Sequence, residues 1–255
     1  IRAQPRARGL GDVYKRQGLP RAMAKSGVPI TSIGDIEGYG VMNDAEKEQL
    51  RDRSIEAFKN IYGQAIGSGP VTEYIGKTGM DVLKGADLLA DVSESYTSTI
   101  EYADNPIAKS LRDVARIHLA NLGTRIFYTN HGGYDHHANE MLAHPGLLKD
   151  LTGAIADFID DLEEHDAADN VAVLIFTEFG RRMRDNGSGT DHGSGGGAFL
   201  VGKNIKGGLY SEYPSLDPSK WEHGEDLQHT YDFRGLYSTV LEQWLGLEAN
   251  PIVHG

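Results

Sequence analysis

Cysteine is absent from the 255 residues. That excludes a disulfide framework, a thiolate nucleophile and cysteine-ligated zinc, so any metal must be held by carboxylates and imidazoles. The lack of cysteine does not fix the compartment. No apolar run approaches the roughly 20 residues that a membrane helix requires, and no membrane span is expected. Positive charge is scarce: 25 Lys and Arg stand against 37 Asp and Glu, a formal net charge of −12. A protein that grips nucleic acid gathers Lys and Arg on one face, and no such stripe exists beyond residue 17, so nucleic acid is excluded as a partner. What remains is ordinary for a soluble globular chain, with 39% hydrophobic and 24% charged residues. The length suits one large α/β domain or two small ones. Glycine is the excess, 32 residues against the ~7% typical of globular proteins. Many of these glycines sit beside polar motifs, as in loops shaped for ligands.

The first residues, IRAQPRARGLGDVYKRQ, carry five Arg or Lys against one Asp in an otherwise acidic chain. The run from Gly11 to Gln17 resembles translated adaptor sequence. Residues 1–17 are therefore expected to be a non-native or disordered segment, the alternative being a basic natural linker.

Residues 18–123 read as mainly helical. From Asn43 to about Gly67, Leu50, Ile55, Phe58, Ile61, Tyr62 and Ile66 recur near one face of a 3.6-residue period, which predicts an amphipathic helix. A second helix is expected over Val71 to Ser95, and a third from Pro106, a favoured first-turn residue, to Gly123. Residues 124–255 read as an α/β core. Thr124 to Thr129 is β-branched and aromatic and runs into Asn130-His131-Gly132-Gly133, a strand followed by a loop. A helix is expected from about Leu147 to Glu164. Val171 to Phe176 is a continuous apolar run of strand length, the pattern of a parallel strand buried on both faces. A short strand at Ala198 to Val201 and a helix from Phe233 to Leu245 complete the core. This order implies a βαβ unit, with ligands gathering beyond the carboxyl ends of the strands.

Three motifs lie at those ends. In Gly133-Tyr134-Asp135-His136-His137, a carboxylate and an imidazole two residues apart can converge on one cation, or Asp135 can simply cap a helix. In Thr177-Glu178-Phe179-Gly180-Arg181, Glu178 sits so close to an apolar run that it needs a cation or a hydrogen-bonded partner to stay ionised. Arg181 is one such partner, and a plain Glu178 to Arg181 ion pair is the competing reading. In Gly189-Thr190-Asp191-His192-Gly193, the surrounding glycines let His192 or Asp191 approach a metal without crowding and leave backbone amides free to cradle an anion. The loop is not a Walker loop. Together the motifs hold enough carboxylates and imidazoles for one metal site and most of a second. His118 is expected to be packed or on the surface, and His144, His165 and His254 are expected to face solvent. His229 is weighed between the site and the surface, Asp232 is expected to cap the last helix, and Leu241 and Trp244 are expected in the core.

With GGYDHH, FTEFGRR, NGSGTDHGSGGG, AFLVG, IKGGLY and DFRGLYSTVLEQWLG in this order, the run from Arg125 to Leu247 resembles the family called domain of unknown function 1501, a relative of the alkaline phosphatase and sulfatase superfamily. The resemblance implies an alkaline-phosphatase-like three-layer α/β/α sandwich, N-terminally truncated here, with a helical segment before the visible strands. It carries over Asp135, His137, Glu178 and His192 as metal ligands for divalent cations, zinc first, with manganese, calcium or magnesium as alternatives. Arg181 is then assigned to orienting Glu178 or the substrate anion. His136 and Arg182 stand where the family commonly has Thr. The resemblance further implies hydrolysis of small phosphate or sulfate esters and a periplasmic or secreted location. The superfamily draws its first metal-binding Asp and its nucleophile from N-terminal elements that have no counterpart before Arg125, so this chain is expected to be an inactive fragment. The rival expectations are a non-catalytic exported protein of the same fold that binds metal or a surface polymer, and a phosphomutase-like transferase.

Overall fold

The structure is a computed structural model that describes residues 32–34, 36 and 48–254. It divides into two compact units at Thr129 and Asn130. Residues 1–17 and the expected helix start at Asn43 lie outside the described residues.

The first unit is helical. Helix α1 spans Glu48–Ala65, α2 Pro70–Ser95 and α3 Pro106–Leu119. The apolar face anticipated for α1 is only partly covered: Ile55, Phe58 and Tyr62 are half-buried, while Leu50, Ile61 and Ile66 are exposed. Pro70 and Pro106 occupy first-turn positions, where a missing N–H costs nothing. Asn105 caps α3, its side-chain oxygen accepting from the Ala108 amide at 2.9 Å. This helix stops at Leu119 rather than reaching Gly123, because Asn121 takes a left-handed backbone with φ 52°. Ile36, Leu89 and Val92 form a buried cluster with Ile33, Ile117 and Ala120 packed on it.

The second unit opens with residues outside any regular element and continues as α4, Glu140–Glu164. This helix starts well before Leu147, passing through Pro145. A proline there cannot donate to the Met141 carbonyl, so the first turn needs support from outside the helix. It is found in the Ser188 carbonyl, which accepts from the Glu140 amide at 3.2 Å. Further along α4, Ile155, Phe158 and Leu162 are buried, each worth about 1.5–3 kcal/mol of hydrophobic stabilisation.

Four short strands follow: β1 Val173–Ile175, β2 Gly180–Asp185, β3 Thr190–Gly193 and β4 Phe199–Val201. They form two separate two-stranded antiparallel sheets, β1 with β4 and β2 with β3. The architecture is thus a mixed α/β chain with small sheets. The sequence reading is corrected on two points. Among the described residues Thr124 to Thr129 joins no ladder, and Ile126 and Tyr128 are exposed, since β-propensity alone does not make a strand, which also needs a partner. The Val171 to Phe176 run is a half-buried strand of three residues, with Phe176 exposed. Its partner β4 arrives after the β2–β3 hairpin rather than through a helical crossover, so the pairing is antiparallel and no parallel βαβ unit forms among the described residues.

The last helix, α5 (Phe233–Thr239), runs into a π turn over Val240–Trp244. Asp232 caps it as expected, accepting from the Arg234 amide at 2.9 Å. Leu241 and Trp244 are half-buried rather than core.

Two tests follow from these elements. Phe158→Ala should destabilise the second unit by about 3–5 kcal/mol, read from denaturant unfolding of the intact chain. The Arg234 guanidinium, helped by its backbone amide, holds Asp232 down at about 2, below the ordinary 3.8. A depressed carboxylate contributes stability that is complete above its unfolded value and lost as pH falls through its folded value. Wild type should therefore lose more melting temperature between pH 4 and pH 2 than Asp232→Asn does, and equal losses would remove the cap from the account.

Candidate metal centre

Three donor side chains meet at the start of the second unit. The ligand atoms of Asp135, His137 and His192 all lie within 4.8 Å of one another. His192 Nε2 is 2.6 Å from Asp135 Oδ1, and His137 Nδ1 is 3.2 Å from the same oxygen. Their rings tilt together at 4.8 Å between centroids. All three are exposed. The hydrogen bond from His192 is the main cause that holds the Asp135 carboxyl below its ordinary range; the charges of His192, His137 and Arg181 add to it, against a desolvation that opposes them. One carboxylate and two imidazoles are a donor set that suits a borderline divalent cation.

The meeting depends on two pieces of local chemistry. The first is the β2–β3 hairpin, which pairs Arg181 with His192 and closes through the Asn186 to Gly189 turn. Asn-Gly is a strong hairpin signal because both residues tolerate positive φ; here Gly187 has φ 104°. The second is close approach. A Cβ on Gly189 would stand 2.9 Å from both the His136 carbonyl oxygen and the His137 carbonyl carbon, so only glycine lets the hairpin lie on the Asp135 loop.

Cross-links then hold loop to hairpin. Asn186 Nδ2 donates to the His137 carbonyl at 3.2 Å and to Asp191 Oδ1 at 3.0 Å. Ser188 Oγ accepts from the Asn139 amide at 3.0 Å. Arg181 is central: Nη1 donates to the Thr190 carbonyl at 2.6 Å, while Nη2 donates to the Tyr134 carbonyl at 2.8 Å and lies 3.4 Å from Asp135 Oδ1. Phe179 stacks on the His192 ring at 4.4 Å, and the Arg181 guanidinium lies 5.0 Å from the Phe179 ring centroid.

Of the residues singled out by sequence, Asp135, His137 and His192 are brought together. Glu178 is not in the group: it is exposed on a bend after β1. Arg181 pairs with Asp135 rather than with Glu178. His144 is half-buried instead of solvent-facing, its ring 5.6 Å from Tyr134 and 5.8 Å from His136. His165 is half-buried and bonded to the Asp161 carbonyl at 2.8 Å. His229 is exposed. Asn186, Phe179 and Thr190 went unnoticed as individual site residues, although Asn186-Gly187 carried a legible turn signal.

A mixed α/β chain with a carboxylate–imidazole cluster at a hairpin and loop is the class that fold and site define. The chain belongs to the family described as protein of unknown function (DUF1501), whose model matches residues 41–252. No curated protein and no solved structure matches the chain.

Arg181→Met removes a cation bound to two carbonyls and a carboxylate. Charge-assisted hydrogen bonds contribute about 1.5–3 kcal/mol each. Amide hydrogen exchange over 131–137 and 186–192 should therefore accelerate by about tenfold or more while the Ile155 to Leu162 segment stays protected. Unchanged exchange in the two loops would show that the guanidinium does not join them.

Proposed function

We propose that this chain carries the metal-binding part of a hydrolase of phosphate or sulfate esters with an alkaline-phosphatase-like sandwich fold, acting outside the cytoplasm. The observation that carries the reading is the convergence of Asp135, His137 and His192 donors within 4.8 Å. In this reading Glu178 is a fourth ligand only through the family resemblance, and zinc is the first choice of cation, ahead of manganese, calcium and magnesium. A bound divalent cation would polarise an ester oxygen and neutralise developing negative charge.

The residues of the chain divide the remaining work. Asp135, held ionised by His192 and its cationic neighbours, supplies the negative charge that a cation needs. Arg181 spends its guanidinium on Tyr134, Thr190 and Asp135, so it acts as a positioning residue, keeping the carboxylate at the mouth of the hairpin. Phe179 limits rotation of the His192 ring by stacking on it. Orientation of metal-bound residues by such partners is typically worth 10–100-fold in metal affinity.

The test is titration of the chelator-treated chain with zinc, followed by aryl phosphate and aryl sulfate turnover. One zinc per chain is expected, lost in Asp135→Ala and His192→Ala and weakened about 10–100-fold in Arg181→Met. Absence of zinc uptake by folded wild type, or uptake indifferent to both alanine variants, would overturn the metal centre. Binding without turnover would favour the non-catalytic member of the same fold.

A further inference from the structure

A cavity of about 390 Å³ lies between the first turns of α4 and the β2–β3 hairpin, lined by Glu140, Met141, His144, Leu148, Asp185 and Thr190 together with Pro145 and Gly189. Met141, Pro145 and Leu148 give it an apolar body. Glu140 and Asp185 give it negative charge, and no Lys or Arg lines it. The Glu140 carboxylate is held in place, since Thr190 Oγ1 donates to its Oε2 at 2.8 Å. Its other oxygen, Oε1, is 4.0 Å from His144 Nδ1, beyond hydrogen-bond range, and that nitrogen is buried with no hydrogen-bond partner. Asp185 is fixed by accepting from the Gly187 amide. The two carboxylates are therefore held in place. Apolar surface beside two anchored carboxylates suits an apolar group that ends in a cation and disfavours its anionic counterpart.

Thr190 ties this cavity to the candidate metal centre. Its carbonyl accepts from the Arg181 guanidinium that reaches Asp135. On β3, Thr190 and His192 are alternate residues, which share a face about 6–7 Å apart. A single small molecule can span both places.

We propose that this cavity binds a short apolar group bearing an ammonium, and that, resting on the hydrolase reading above, it receives the leaving-group side of the substrate: an anionic ester of an amine-bearing alcohol. The anionic end would sit at Asp135, His137 and His192, and the cationic end against Glu140 and Asp185.

The experiment uses the intact, chelator-treated chain with phenethylamine and phenylacetate, two probes of similar size and opposite charge, read by calorimetry and by amide chemical shifts. Phenethylamine is expected to bind at least about tenfold more tightly than phenylacetate, the scale of one charge-assisted hydrogen bond, and to shift amides at 140–148 and 185–190. Glu140→Gln keeps an acceptor for Thr190 while removing charge, and should weaken the amine by a similar factor. Met141→Lys changes a side chain that is 84% exposed, so folding is spared, and its own ammonium should compete the probe out. Equal binding of the two probes, or amide shifts elsewhere, would overturn the proposal. Because these measurements need no metal, amine binding survives even if zinc uptake and turnover fail. Ester turnover indifferent to an amine on the leaving group would sink the leaving-group assignment and leave the hydrolase reading intact.

Discussion

The Arg181 guanidinium is the interaction on which the second unit's polar end depends. It leaves a short strand, turns across the hairpin, and binds one carbonyl from the hairpin and another from the loop before Asp135. Backbone carbonyls in irregular segments need donors, and a planar cation with several N–H groups in fixed directions can serve two chains at once. The same cation lies beside the Asp135 carboxylate, so the device that joins the segments also favours the ionised acid that a metal would require. Lysine would present one point of charge and could not hold both carbonyls in this geometry.

Packing and site chemistry meet at the glycines and the aromatic ring. Gly189 brings the hairpin onto the loop, and Phe179 packs against both His192 and Arg181. The imidazole is thus located by a hydrogen bond to Asp135 at its edge and by a ring on its face. The exposed position of the three donors makes the cluster accessible to ions and small anions, while the stacked ring and the cross-linked loops limit its freedom.

Much of this was legible in the sequence, though unevenly. The helices were readable because their apolar period, first-turn prolines and caps are local signals; Asn105, Pro106 and Asp232 do in the structure what their types suggest. Asp135, His137 and His192 were legible because metal-ligand residue types stood in glycine-flanked loops. The positions of β1 and β4 were legible, inside Val171 to Phe176 and Ala198 to Val201, but their pairing was not, because an apolar run states that a segment will be extended and says nothing of its partner or direction. Glu178's exposure was not legible from its nearness in sequence to that run: the strand ends at Ile175, and the side chain sits exposed on the following bend. The Asn186-Gly187 turn was read as part of a ligand loop although the dipeptide is itself a hairpin instruction. Arg181's role could not be foreseen, since its partners are carbonyls, which every sequence has everywhere.

Pro145 has a mechanical consequence. By breaking the hydrogen-bond ladder of α4 after its opening turn, it makes that turn a passenger of the hairpin tip, to which the Glu140 and Asn139 amides are tied. The buried stretch around Phe158 lies beyond the break. A guest that pushes Met141 outward would bend a joint instead of levering a whole rod, so the pocket wall can give while the hydrophobic interior stays still.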